Sequence, residues 1–375
     1  MFKTFYNIPV MPIQQVLGSP FGRSEHQLGP VWPEWDTQTD IRFKRNNILK
    51  DDVPQISDGE IFVYESQPIF WCGPIVDHFG HQIADFITRV MAYRSLGIEG
   101  RYAFSAPNNS QYNLNETPNF FKAIIDWLDI KEHLLLINRP VLAKSLVVVE
   151  QQEQLPNIGP SKKYLEELNK LIASKEIPKR KSNNVFVSRS SQAKGLIAGE
   201  SYIEDVLSAH GYEIFKPENF ELRAQLEKYL SSQNLVFSEG SALHTLQLLG
   251  SNIGKVHVIR RRPNYDMCKN FILPRAESVE YHALGGLVCG LRNNEPLLEC
   301  GITIPSVEKL ERFLSTLLGK AIQIDIELLN ERLKNDLVKY YQGELESARA
   351  KIAGYNSSLL KAIKEAGYAE VINNE

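Results

Sequence analysis

The chain has 375 residues, more than one hydrophobic core usually serves, so two domains of roughly 150 residues each are expected. Its 42 Lys and Arg nearly balance 45 Asp and Glu, and the net charge of −3 leaves no global electrostatic footprint for nucleic acid. Cys72, Cys268, Cys289 and Cys300 show no Cys-x-x-Cys spacing, and no apolar run of about 18 residues or signal-peptide pattern occurs, which excludes a disulfide scaffold and a membrane span and points to a reducing cytoplasm.

Along the chain, the first fifty residues carry scattered Pro, Gly and Trp with little periodicity, and this lead-in reads as irregular and without chemistry. Residues 60–66 alternate enough to predict a strand, and Pro68 to Pro74 reads as the turn leaving it. A helix from about Val76 to Leu96 follows, with Phe79, Ile83, Phe86, Ile87, Val90 and Met91 at three- and four-residue spacing, ending at Gly97. Strands near Arg101–Ser105, His133–Asn138 and Leu142–Glu150 alternate with a helix over Asn119–Leu128, the rhythm of an α/β fold with a largely parallel sheet. Pro156 to Pro160 breaks the pattern, Ser161–Ser174 is an amphipathic helix, and the polar run Lys175–Asn184 marks a domain junction. Strands at Val185–Val187, Tyr212–Phe215, Leu235–Phe237 and Lys255–Arg260, with helices near Tyr202–His210, Glu221–Ser231 and Ala242–Leu249, form a Rossmann-like succession. Beyond Pro305 the chain turns helical and charge-rich.

Two clusters concentrate polar chemistry. In the first helix His81 and Asp85 are four residues apart and share a face, with His78 one turn back, which suits a proton-accepting group. In the second half, Ser188-Arg189 follows one strand and Ser238-Glu239-Gly240-Ser241 follows another. Ligands of open α/β sheets bind beyond the carboxyl ends of strands, so these loops read as a diphosphate cradle. Gly240 would let the backbone approach closely, Ser241 would cap the helix or donate to an oxyanion, and Arg189 and Lys194 would supply fixed charge. His244, a turn into its helix, either reaches a phosphate or packs. The run Arg260-Arg261-Arg262 reads as a solvated loop, with a flank of the donor site or of an anionic glycan acceptor as the alternative.

The segment Val185-Phe-Val-Ser-Arg-Ser190, then Lys194, Gly199-Glu200, Gly211 to Glu218, and Phe237-Ser-Glu-Gly-Ser-Ala-Leu-His244 resembles bacterial glycosyltransferase family 61, and the order matches as well. Upstream, His78-Phe-Gly-His81 with Asp85 and Arg89 is similar to that family's His-x-x-x-Asp helix. The resemblance spans roughly residues 70 to 265. It implies two Rossmann-like domains facing a cleft (GT-B type), a nucleotide-sugar donor held mostly by the carboxyl-terminal domain, and inverting transfer to a growing glycan. Glu239-Gly240-Ser241 stands where members often carry His-Gly-Ala, and Thr88 where proline is common; Glu239 would then hold a ribose or sugar hydroxyl rather than a phosphate.

The expected organisation is an acceptor-side α/β domain over residues 1–160 carrying the His/Asp helix, a nucleotide-sugar domain over 161–305, and a helical extension over 306–375. Expected site residues are Asp85 or His81 as general base, and His78, Ser188, Arg189, Lys194, Glu200, Glu239, Gly240, Ser241 and His244 around the donor, with no metal and no cofactor. Expected partners are a nucleotide-sugar donor and a glycan or glycolipid acceptor of bacterial capsule or lipopolysaccharide, with peripheral membrane association and homo-oligomerisation left open. Two alternatives stand beside this reading: a metal-dependent hydrolase or deacetylase on His78, His81 and Asp85, and a non-catalytic sugar-nucleotide-binding subunit.

Overall fold

A computed structural model describes residues 2–13, 26–177 and 183–369. Part of the lead-in, part of the polar run Lys175–Asn184 and the last residues of the helical tail to Ile372 lie outside the described residues.

The first seven-stranded sheet comprises β1 (Phe2–Met11), β2 (Gly29–Pro30), β3 (Val63–Glu65), β4 (Ile69–Pro74), β5 (Arg101–Ser105), β6 (Leu134–Ile137) and β7 (Val141–Val149). Its order is β6-β5-β4-β7-β1-β2, with β3 beside the start of β7; β6, β5, β4 and β7 run parallel, while β1 lies antiparallel to β7 from Phe2↔Val149 to Val10↔Val141. The irregular lead-in is therefore corrected: ten of its residues form a strand. Only its end, Ile8, Val10 and Met11, is buried, because β2 covers no more than Val10 and Met11 and most of β1 is a sheet edge, so no apolar alternation marks it. The expected turn at Pro68–Pro74 is also corrected. β4 is the centre of the sheet, and all six of its residues are buried, so it reads as a continuous apolar run rather than an alternating one. Gly73 within it has φ +123°, and a Cβ there would lie 2.8 Å from Phe86.

The second sheet comprises β8 (Asn183–Val187), β10 (Tyr212–Phe215), β11 (Ser232–Ser238), β12 (Ile253–Arg260) and β13 (Ala276–Ala283), all parallel, in the order β10-β8-β11-β12-β13; β9 (Leu196–Ile197) lies in a small three-stranded sheet with Gly285–Val288 and Ile302–Pro305. The strand order reverses between β8 and β11, and that is where a parallel sheet opens a crevice beyond its carboxyl ends.

Helices follow the apolar periodicity. The first helical stretch is α1 (Phe79–His81), a wider π turn (Gln82–Ile87) and α2 (Val90–Arg94), rather than one regular helix. Next come α3 (Asn119–Trp127), α4 (Lys162–Ser174, capped by the Ser161 hydroxyl), α5 (Glu200–Ala209) and α6 (Leu222–Ser231), then a 3-10 helix (Ser241–Leu248) and α7 (Lys269–Ile272). The tail forms α8 (Val307–Leu318), α9 (Ile326–Glu346) and α10 (Tyr355–Glu365).

One apolar core runs continuously from Phe70, Phe104 and Phe121 in the first unit through Leu165 and Leu168 of α4 to Val185, Phe237 and Val258 in the second. The tail helices bury Leu333, Leu337, Tyr355 and Leu359 in a core with Ile203 of α5 and with Phe186, Val236 and Ile259 on the other face of the second sheet. Two polar anchors hold them there: Gly199 N–H donates to Asp336 (2.8 Å), and Asp325 N–H to Tyr202 Oη (2.8 Å).

Candidate active site

His78 caps α1, its Nδ1 accepting from His81 N–H (3.2 Å), while burial and then the nearby His81 hold its imidazole below the ordinary value. Asp85 lies in the π turn, a widened geometry frequent at functional sites, and is fully buried. Its Oδ2 lies 2.9 Å from His81 Nδ1, so the four-residue spacing does bring the two together. The partner that sequence reasoning missed is Arg45: its Nη2 donates to Asp85 Oδ2 (2.7 Å), its Nε faces Oδ1 (3.3 Å), and Nη2 lies 3.1 Å from His81 Nδ1. Burial works against the Asp85 charge, yet hydrogen bonds from His81 and Arg45 together hold its carboxyl below the usual range.

Arg45 sits in a tight hairpin in which Lys44-Arg45 pairs with Ile48-Leu49 around Asn46 and Asn47, both at positive φ as such a two-residue turn requires. Gln151 and Gln154 clamp this hairpin by accepting from Lys44 and Asn47 N–H groups (2.7 and 2.9 Å), and Gln151 also donates to the Asp85 carbonyl (3.2 Å). An Asn-Asn turn signal was present in the sequence, but nothing there linked it to a carboxylate forty residues on.

The cradle forms at the reversal of strand order. Ser188 and Arg189 leave β8, and Ser241 follows β11; with Phe79 from α1 and Phe120 from α3 they line a cleft of about 460 Å³ between the two sheets' units. Arg189 lies across Gly240 so closely that a Cβ there would come within 2.2 Å of its guanidinium. It is steadied by the carbonyl oxygens of Lys194 (3.2 Å) and Gly195 (3.5 Å). The two halves of the site meet through another glycine: a Cβ on Gly80 would lie 2.9 Å from His244 Cδ2 and 3.5 Å from His78 Cε1.

Residues 79–253 match the family model described as Glycosyltransferase 61. This region belongs to glycosyltransferase family 61. The protein is thus a glycosyltransferase, with a sugar donor and an acceptor as its substrates. No curated protein matches the chain.

Other expected site residues of the transferase turn out to serve the scaffold. Glu200 is buried, and its Oε1 accepts from Arg189 N–H (2.7 Å), Ser238 Oγ (2.6 Å) and Ser188 Oγ (3.0 Å), tying together the ends of β8 and β11. Ser188 Oγ also lies 2.6 Å from Glu204. Glu239 does not face the cleft as a donor ligand: its Oε2 accepts from the N–H groups of Arg261 and Arg262 (2.9 and 3.2 Å) and its Oε1 from Arg262 Nε (2.6 Å). Arg262 thereby pairs with the buried Glu239 charge. Lys194 is exposed and contributes its carbonyl to Arg189, not its charge to the cleft. The Arg260–Arg262 loop is not simply solvated, since Arg261 is buried and donates to the carbonyls of Leu298 and Glu299 (3.3 and 2.9 Å). Arg89, in the His/Asp motif, is buried and donates to the carbonyls of Ile41, Arg42 and Val149, binding the Arg45 segment to the sheet.

His244 is buried, with Nδ1 2.7 Å from Gln247 Oε1, and burial pushes its pKa down to about 4. It is therefore neutral at pH 7. An unfolded imidazole takes up its proton near pH 6.5, which the folded one resists until about pH 4. The neutral group thus adds stability that is present above pH 6.5 and lost as the pH falls toward 4. Urea unfolding at pH 7 and pH 5 is expected to show a smaller acid loss in His244→Gln than in the parent protein; an equal loss would remove His244 from the acid response.

Proposed function

We propose that the protein is an inverting glycosyltransferase of GT-B type that moves a sugar from a nucleotide-sugar donor to a glycan or glycolipid hydroxyl, in the assembly of bacterial capsule or lipopolysaccharide. The observation that supports the reading is that the helical stretch bearing the His81–Asp85–Arg45 cluster packs, at Gly80, on His244 of the 3-10 helix whose first residue, Ser241, lines the cleft with Arg189. The family match over residues 79–253 supports the class of reaction.

In a single displacement the acceptor hydroxyl must lose its proton as it attacks the anomeric carbon. Asp85 is closed to solvent and saturated by Arg45 and His81, whereas the His81 side chain keeps 26% of its exposure, so His81 Nε2 is assigned as the base. Arg45 can only donate and the Asp85 carboxylate only accept; both Arg45 Nη2–H and His81 Nδ1–H converge on Oδ2, which fixes the tautomer that leaves Nε2 able to take a proton. Asp85 then stabilises the imidazolium that forms. Arg45 keeps Asp85 ionised. At the other end, Arg189 and the start of the 3-10 helix at Ser241 stabilise the departing phosphate, and Phe79, Phe120 and Phe220 offer apolar walls for the donor. The placement of a guanidinium against Asp85 opposes a divalent cation there, which disfavours a hydrolase built on His78, His81 and Asp85.

Arg189→Ala is expected to weaken donor binding by about 1.5–3 kcal/mol, one charge-assisted hydrogen bond, with calorimetric titration of nucleoside diphosphate sugars as the measurement. Gly240→Ala is expected to act the same way by pushing the guanidinium aside. Unchanged donor affinity in both would place the donor elsewhere.

A further inference from the structure

The second sheet carries a group of side chains that the proposed reaction does not use. His257 on β12 and Glu280 on β13 are register partners, and His282 stands two residues further along the same face of β13. Three potential ligand atoms converge there: His257 Nδ1 lies 3.2 Å from His282 Nε2 and 3.8 Å from Glu280 Oε2, and His282 Nε2 lies 3.9 Å from the same oxygen. Among the described residues this is the group of three His, Cys, Asp or Glu side chains whose ligand atoms all fall within 4.8 Å of one another. It lies beyond the family-matched residues 79–253.

We propose that His257, Glu280 and His282 bind a first-row divalent cation of the zinc class, with a fourth position left to water. Bonds of about 2.0–2.1 Å in tetrahedral geometry place ligand atoms about 3.3 Å apart. The spacing between the two imidazoles already matches that edge, and the carboxylate needs to approach by about half an ångström. Glu280 can do so, because its side chain is 55% exposed while the two imidazoles are held at 13% and 20%. Two imidazoles and one carboxylate are a donor set suited to zinc, and less to magnesium or calcium, which prefer oxygen. Phe313 of α8 packs on the His282 ring at 4.8 Å, which fixes the ring and excludes solvent from one side.

The position gives the cation a structural task. β13 is the edge strand of the second sheet, and a metal shared between it and β12 would cross-link that edge beneath the first tail helix. Nothing in this role requires the metal to touch the sugar donor.

The test uses the full chain, stripped with a chelator and titrated with zinc chloride under calorimetry, with bound metal counted by elemental analysis. About one equivalent is expected to bind, and a zinc concentration about 100-fold above Kd should raise the thermal midpoint by a few degrees. His257→Gln and His282→Gln are each expected to weaken zinc binding at least about 10-fold, the lower bound seen even for residues that only support a ligand. Glu280→Gln should do the same while the metal-free protein melts like the parent, since the side chain is half exposed; this variant guards against simple misfolding. His81→Ala should leave zinc binding unaltered. Failure of the parent chain to bind stoichiometric zinc, binding that survives the Glu280 and His282 changes, or loss of binding with His81→Ala would each overturn the assignment.

Discussion

Replacing His81 by alanine is expected to lower glycosyl transfer by about 100-fold or more, the usual contribution of a positioned base, while the affinity for the nucleotide-sugar donor stays close to that of the parent. The separation follows from the two halves of the site: His81 lies on the first helical stretch, and Arg189 and Ser241 belong to the second sheet's loops. Asp85→Asn is expected to be nearly as damaging by a different route. An amide is uncharged, and its NH2 can face His81 Nδ1 as a donor, favouring the tautomer with the proton on Nε2 and blocking proton acceptance. Arg45→Gln should lower kcat with little change in the donor KM and should move the pH profile, because the buried Asp85 would lose the cation that keeps it charged. Steady-state kinetics with donor and acceptor varied separately would decide. Transfer at the parental rate by Asp85→Asn would sink the assignment of the cluster.

The largest expected effect on stability lies at Glu153 and Arg275. Both are fully buried, and the guanidinium makes a two-pronged pair with the carboxylate, Nη1 to Oε2 at 3.1 Å and Nη2 to Oε1. Gln247 donates to Oε2 (3.0 Å), and Arg275 further donates to the carbonyls of Leu249, Phe271 and Gln247. Glu153 follows the last strand of the first sheet and Arg275 precedes the edge strand of the second, so the pair stitches the two units together beside the Trp127 Nε1–H bond to the Leu248 carbonyl (3.2 Å). Glu153→Leu leaves a buried cation without its counter-charge, and a loss of about 3–5 kcal/mol is expected. The double change Glu153→Leu with Arg275→Met should cost clearly less than the sum of the single changes, since it also removes the stranded charge. Denaturant midpoints measure this directly; strict additivity would mean that the pair is not coupled.

The same network reaches the site. Gln247 holds Glu153 with its amide nitrogen and His244 with its amide oxygen, and His244 abuts Gly80 beside His78. Loss of Glu153 should therefore disturb the meeting of the two clusters as well as the fold.

Local chemistry was legible in the sequence. The three- and four-residue spacing of Phe79 to Met91 marked the helical stretch, and the step from His81 to Asp85 marked a shared face, because a helix brings such residues together whatever surrounds it. The apolar strands with Ser188-Arg189 and Ser238 to Ser241 after them marked loops at the strand ends, and Ser188, Arg189 and Ser241 do line a cleft there. The order of these motifs carried the family. What only the tertiary structure decided were the partners of buried charge: Arg45 for Asp85, Arg262 for Glu239, Arg275 for Glu153, and the turning of Glu200 from ligand to clamp. It also decided that β1 is a strand and β4 a sheet centre, because pairing with β7 and burial on both faces are long-range facts that leave no period in the chain. Periodicity reports which face an element buries; it carries no information on which distant charge comes to rest against it.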